Sequence, residues 1–240
     1  MRRYTRFWNG GLMSVAVLSL VATAGWSQSL TWLGTLDGWS EAYGVSADGS
    51  VVVGRAQNAA EQWRAFRWKN GVMQDLGHLG GEWSWAYGVS ADGSVVVGGA
   101  VNVAGRDRAF RWKNGVMQDL GTLGGDESEA WGVSADGSVV VGWAQNAAGQ
   151  YRAFRWENGV MQDLGHLGGG WSRAYGVSAD GSVVVGVAEN AAGQYRAFRW
   201  ENGVMQDLGH LGGEWSWAYG VSADGSVVVG WSVNADGRVR

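Results

Sequence analysis

Apolar residues in this chain come in short runs, such as Val51-Val52-Val53, Ala65-Phe66 and Val72-Met73, each cut off by glycine, asparagine or aspartate within a few positions. Runs of that length are the length of strands, and helices need longer periodic stretches. Four strands are predicted in the first unit: a over 42–46, b over 50–56, c over 64–68 and d over 72–77. The runs do not alternate strictly between apolar and polar, so the sheets are expected to be covered on both faces. Asp48-Gly49 should turn a into b and Asn70-Gly71 should turn c into d, because these residues accept the positive φ of hairpin turns. Proline is absent, so every strand position keeps its backbone donor.

The pattern is periodic. Gly-Val-Ser-Ala-Asp-Gly-Ser starts at Gly44, Gly88, Gly132, Gly176 and Gly220, a spacing of 44 residues without slippage. A period in the forties with several short strands per unit is that of a propeller blade. Residues 30–36 align with the d-strand residues 117–123, and the chain stops after a, b and the first residue of c, Arg240. The expectation is an all-β, five-bladed β-propeller over residues 25–240, closed by pairing of the N-terminal d strand with the C-terminal strands. An open β-solenoid, or a fragment of a larger repeat array, is the architectural alternative.

Arg2, Arg3 and Arg6 precede an uncharged apolar stretch over residues 11–24 that ends on Ala22-Thr23-Ala24. This is the layout of a secretory signal peptide, too short to span a membrane, with cleavage expected after Ala24. The exported product, extracellular or periplasmic, is expected to be monomeric and to have no membrane span. Its 15 basic residues face 22 acidic ones, a net charge of −7, which argues against nucleic acid as a partner. Cysteine is absent, so stability rests on burial and backbone pairing.

The repeated Arg-Ala-Phe-Arg-Trp, Gly-Val-Met-Gln-Asp-Leu-Gly-x-Leu-Gly-Gly and Gly-Val-Ser-Ala-Asp-Gly-Ser-Val-Val-Val-Gly resemble the probable extracellular repeats of the HAF family, named for a His-Ala-Phe tripeptide. Arg64, Arg108, Arg152 and Arg196 stand where that family has its histidine, so no imidazole role carries over. The resemblance implies an extracytoplasmic location and repeat architecture, and brings no activity with it.

Candidate chemistry is sparse. His78, His166 and His210 share one repeat position with Thr35 and Thr122, and equivalent positions around a ring lie too far apart for the ~2 Å bonds of one metal ion. No metal and no cofactor is expected. Asp48, Asp92, Asp136, Asp180 and Asp224 read as turn residues. Ser46 and its copies have no neighbouring base and no nucleophile elbow. If Asn70-Gly71 is a two-residue turn, Phe66 faces Asp75 and Arg64 lies diagonal to it. This predicts structural pairs Arg64–Asp75, Arg108–Asp119, Arg152–Asp163 and Arg196–Asp207. Five-bladed glycosidases place carboxylates on inner strands, whereas Ala-Tyr-Gly-Val-Ser has none, so no enzyme is expected.

The aromatics divide into two sets. Phe66 and Trp68 with their copies are assigned to the core between blades. Trp39, Trp83, Trp171 and Trp215 fall in the Gly-rich d-to-a connections, with no evident strand to pack on. The position entering strand a is Glu41, Trp85, Glu129, Arg173 and Trp217 in successive units. Charged groups and indoles around a channel mouth suit a sugar, so these nine residues form the candidate ligand site of a non-enzymatic binding module for a glycan or other cell-envelope component. The competing readings are a purely structural extracellular repeat protein without a small-molecule ligand and a glycosidase-like propeller.

Overall fold

The computed structural model describes residues 30–240, so the leader assigned to residues 1–24 lies outside the described residues. The chain divides at Trp32/Leu33, and every sheet belongs to the second unit, Leu33–Arg240. The first sheet consists of β1 (Ser40–Val45), β2 (Val51–Gln57), β3 (Trp63–Lys69) and β4 (Val72–Asp75). The second has β5 (Gly80–Val89), β6 (Val95–Asn102), β7 (Asp107–Lys113) and β8 (Val116–Asp119), and the third β9 (Gly124–Val133), β10 (Val139–Asn146), β11 (Tyr151–Glu157) and β12 (Val160–Asp163). The fourth comprises β13 (Gly168–Val177), β14 (Val183–Asn190), β15 (Tyr195–Glu201) and β16 (Val204–Asp207), and β17 (Gly212–Val221) with β18 (Val228–Asn234) closes the series. Each complete sheet is an antiparallel meander in sequence order.

Local chemistry explains each turn. Asn70 and Gly71 have φ of 51° and 81°, the two successive positive values of a two-residue hairpin turn, and the other three copies repeat them. That turn fixes the register, pairing Phe66 with Asp75 and Trp68 with Met73. The a–b loop is held by side chains: Ser46 Oγ donates to Asp48 Oδ1 at 2.7 Å and accepts the Val51 N–H at 3.0 Å, while the Ser50 N–H donates to the same carboxylate oxygen at 3.0 Å.

The sheets stack face to face, which is why the valine runs do not alternate. Val95, Val96 and Val97 are all buried. Phe110 and Trp112 of the second sheet pack with Val51, Val53, Ala65 and Leu76 of the first, and the same cluster recurs at the next two junctions. Buried Ser84 ties each junction. Its hydroxyl donates to Gly77 O at 2.7 Å and accepts the Ala65 N–H at 2.9 Å, and Ser128, Ser172 and Ser216 do the same. Arg67 adds a bond from Nε to Gly93 O in the next sheet's turn at 2.9 Å. Backbone bonds then run from loop to loop: Ala47 to Ala91, Ala91 to Ala135, Ala135 to Ala179 and Ala179 to Ala223. The Gly-Val pairs at 44, 88, 132, 176 and 220 line one cavity of about 280 Å3, so the five repeats face a common centre.

The predicted closing blade is not formed. Residues 30–36 make no strand, and among the described residues no loop bond links Ala223 back to Ala47. The reason is topological. In every complete sheet d pairs only with c, and beside β18 strand c amounts to a bridge at Val239 and the reciprocal bonds of Arg240 with Ser232. A second correction concerns the d-to-a connections: β5, β13 and β17 start at Gly80, Gly168 and Gly212, so Trp83, Trp171 and Trp215 stand in strands, while Trp39 directly precedes β1.

Candidate functional site at the aromatic end

The meander sends the a–b and c–d turns to one end of each sheet and the b–c and d–a connections to the other. At the second end, strand a begins and strand b finishes, so Glu41, Trp85, Glu129, Arg173 and Trp217 lie opposite Arg55, Gly99, Trp143, Val187 and Trp231. Close approach is built in here. A Cβ on Gly142 would lie 1.9 Å from the Glu129 carbonyl oxygen, so only glycine lets strands a and b meet beneath these side chains.

The five equivalent positions do five different things. Glu41 pairs with Arg55 at 2.8 Å and accepts a hydrogen bond from the Tyr43 hydroxyl; these bonds hold its carboxyl below the usual range. Trp85 reaches into the next repeat, donating from Nε1 to Glu129 Oε1 at 2.7 Å. Glu129 also accepts from Trp131 Nε1 at 3.1 Å and Trp143 Nε1 at 3.0 Å, so three indoles saturate one carboxylate. Arg173 lies over Trp143 at 5.0 Å and over Trp171 at 5.1 Å, a guanidinium between two indole faces. Trp217 stacks on Trp231 with ring centroids 4.5 Å apart.

Two residues further along each strand runs a row that the sequence reading did not select. Tyr43, Tyr87, Trp131, Tyr175 and Tyr219 each occupy a β-bulge, as between Ala42 and Gly44, and neighbouring rings come within 4.8–5.5 Å across four junctions. Burial and the adjacent Glu129 carboxylate push the Tyr87 phenol well up. An aromatic at the same step of every unit, just before the Gly-Val pair, was the available signal. Asp107 was also passed over. It stands where other units have Trp63, Tyr151 and Tyr195, and burial together with Glu129 and Glu127 raises its carboxyl.

The outer indoles are presented to solvent. Trp39, Trp83 and Trp215 are 78%, 52% and 48% exposed, whereas Trp171 packs edge-on to Tyr195 at 5.3 Å. The pairing is irregular beside all three strand tryptophans, between Gly80 and Ser84, Gly168 and Ser172, and Gly212 and Ser216.

The remaining predicted residues are structural. His78 Nδ1 accepts the Gly80 N–H at 2.8 Å, His166 and His210 repeat this, and Thr122 Oγ1 takes the Gly124 N–H at 3.2 Å. Their shared task is to cap a glycine. Among the described residues no cluster of His, Asp and Glu could hold a metal ion. The Arg–Asp pairs are loose. Arg108 and Asp119 stand 4.0 Å apart and Arg196 and Asp207 3.9 Å, while Arg64 and Arg152 donate to Gln62 and Gln150. Asp75, Asp119, Asp163 and Asp207 are turned to the backbone N–H two residues ahead, at 2.7–2.8 Å.

Likeness to solved structures supports a propeller-like fold. No family model matches the chain, and neither does any curated protein. A TolB from Agrobacterium tumefaciens superposes with a TM-score of 0.56 over 71% of this chain and 65% of its own, at 16% identity. TolB from Acinetobacter baumannii gives 0.55 over 85% and 53%, at 15% identity, and a chain of a nidogen/laminin complex gives 0.54 over 81% and 73%, at 12% identity. The fold is β-propeller-like. This chain spans less than two thirds of either TolB chain.

Proposed function

We propose that this protein is an exported, non-enzymatic binding module that holds a glycan or another cell-envelope component against its aromatic end. The observation that carries the reading is the exposure of Trp39, Trp83 and Trp215 on the end where the repeats differ most. Indole faces stack on the apolar face of a sugar ring, and the neighbouring charged groups suit its hydroxyls.

A catalytic role finds no support at this end. Glu129 accepts from three indoles and Glu41 is held by Arg55 and Tyr43, arrangements that favour structural roles for both carboxylates over acid–base work. A five-bladed ring, with β17 and β18 forming the fifth blade, is part of the proposal. Screening on a glycan array, followed by titration of Trp83→Ala and Trp215→Ala, tests the site. Binding should vanish in the double variant while its circular dichroism is unchanged. Retained affinity, or no ligand in the screen, leaves the purely structural reading.

A further inference from the structure

The first repeat departs from the other four at one place on the aromatic end. Its d–a connection reads Leu36-Asp37-Gly38-Trp39, one residue shorter than Leu79-Gly80-Gly81-Glu82-Trp83. In its b–c loop Glu61 stands where the other repeats have Gly105, Gly149, Gly193 and Gly237. Elsewhere these two segments lie against each other. Gly168 and Gly212, with φ of 111° and 101°, come so close to the b–c loop that a Cβ on either would lie 3.0 Å from the nitrogen of Ala191 or Ala235. Asp37 occupies the equivalent step after the leucine, and its side chain excludes that approach.

The space this leaves is a cavity of about 480 Å3, lined among others by Asp37, Trp39, Gln57, Ala59 and Glu61, and none of its lining residues is basic. Bonds on both sides hold its wall. Ser40 Oγ donates to Gly34 O at 3.1 Å, as Ser84 does to Gly77 O in the next repeat, and the Gly38 N–H donates to Gln57 O at 3.1 Å while the Gln57 N–H donates to Trp39 O at 2.8 Å. Glu61, at φ 59°, carries a side chain in the left-handed conformation that the other repeats reserve for glycine at φ 73–77°. The first repeat therefore accepts backbone strain in placing a second carboxylate beside the cavity.

We propose that this cavity binds an amino sugar in its ammonium form, with the ring against Trp39 and the ammonium facing Asp37 and Glu61. An indole accepts both the apolar face of a sugar ring and a cation, and two carboxylates with no basic neighbour in the cavity select a positive charge over a neutral amide. The proposal rests on the reading of the aromatic end as a sugar-binding surface, and it names the class of sugar for one site on that surface.

Calorimetric titration of the full chain with a β-1,4-linked glucosamine tetramer and with its N-acetylated counterpart tests it, at a pH where the amines are protonated and the carboxylates ionised. The charged oligomer should bind about tenfold tighter than the acetylated one, and added salt should narrow the difference. In Asp37→Asn, Glu61→Gln double substitution the preference should vanish. Trp39→Ala should weaken both ligands, whereas the Trp83→Ala, Trp215→Ala variant should keep the preference. Glu61→Gly restores the residue of the other repeats, so it should raise Tm while lowering affinity for the charged oligomer alone. Equal affinity of the wild-type chain for the two oligomers would overturn the proposal and leave the sugar reading standing. A preference that survives the Asp37, Glu61 double substitution, binding of a trilysine peptide as tight as that of the amino sugar, or no binding of either oligomer by a chain whose Trp83 and Trp215 do bind another glycan would overturn it too.

Discussion

The two ends of the sheets obey opposite rules. At the turn end, Asp48, Asp92, Asp136, Asp180 and Asp224 make the same bonds to their own loop, and each carboxyl is held at about 2 by hydrogen bonds from the serine two residues before it and the serine two residues after it. At the aromatic end, one position gives an ion pair, a bridging indole, a saturated carboxylate, a sandwiched guanidinium and a stacked indole. The turn aspartates bond within their own loop, so identical sequence gives identical contacts. At the aromatic end some bonds cross the junction, as Trp85 to Glu129 and Arg173 over Trp143, so what a residue does there depends on what the neighbouring repeat carries.

The strongest test of that contrast is a pair of substitutions at one repeat position. Glu129→Ala strands three indole donors and should cost about 3 kcal/mol, whereas Glu41→Ala removes a solvent-exposed ion pair and should cost under about 1 kcal/mol. Urea denaturation measures both. Equal losses would mean that the position behaves uniformly after all.

Between the two ends, Ser172→Ala should cost about 2 kcal/mol, because the Ala153 N–H and the Gly165 carbonyl both lose a buried partner. The same change at Ser40, whose hydroxyl bonds only Gly34 O, should cost less than half as much in the same assay.

The turn end should show itself in acid. Five carboxyls depressed from 3.8 to about 2 stabilise the folded chain above their unfolded value, and that contribution disappears as pH falls through about 2. The urea midpoint should fall steadily between those limits. In Ser134→Ala the dependence should weaken, since the leading bond on Asp136 is gone. A flat profile would assign the turns no such role.

The smallest effect concerns Arg108 and Asp119. At 4.0 Å, with both groups partly solvated, the coupling in an Arg108→Ala, Asp119→Ala double-mutant cycle should be below about 0.5 kcal/mol. A larger coupling would restore the tight pair that the strand register suggested.

Much of this fold is legible in the 44-residue period, the Asn-Gly and Asp-Gly turns and the mixed valine runs: four antiparallel strands per repeat, the pairing of Phe66 with Asp75, and a core between stacked sheets. Those features follow from backbone conformations and side-chain periods that a single repeat specifies by itself. The closing strand was misread because alignment shows what residues 30–36 resemble but not whether a neighbour exists to accept their hydrogen bonds. The site was only half legible for a related reason. Glu41, Trp85, Glu129, Arg173 and Trp217 could be picked out as the variable position, yet Trp85 and Glu129 stand 44 residues apart in the chain and 2.7 Å apart in space. Sequence determined the repeat, because its bonds are local. Only the stacking of one sheet on the next decided which polar atoms are spent on each other and which indoles remain facing solvent, because those contacts arise between units and belong to neither alone.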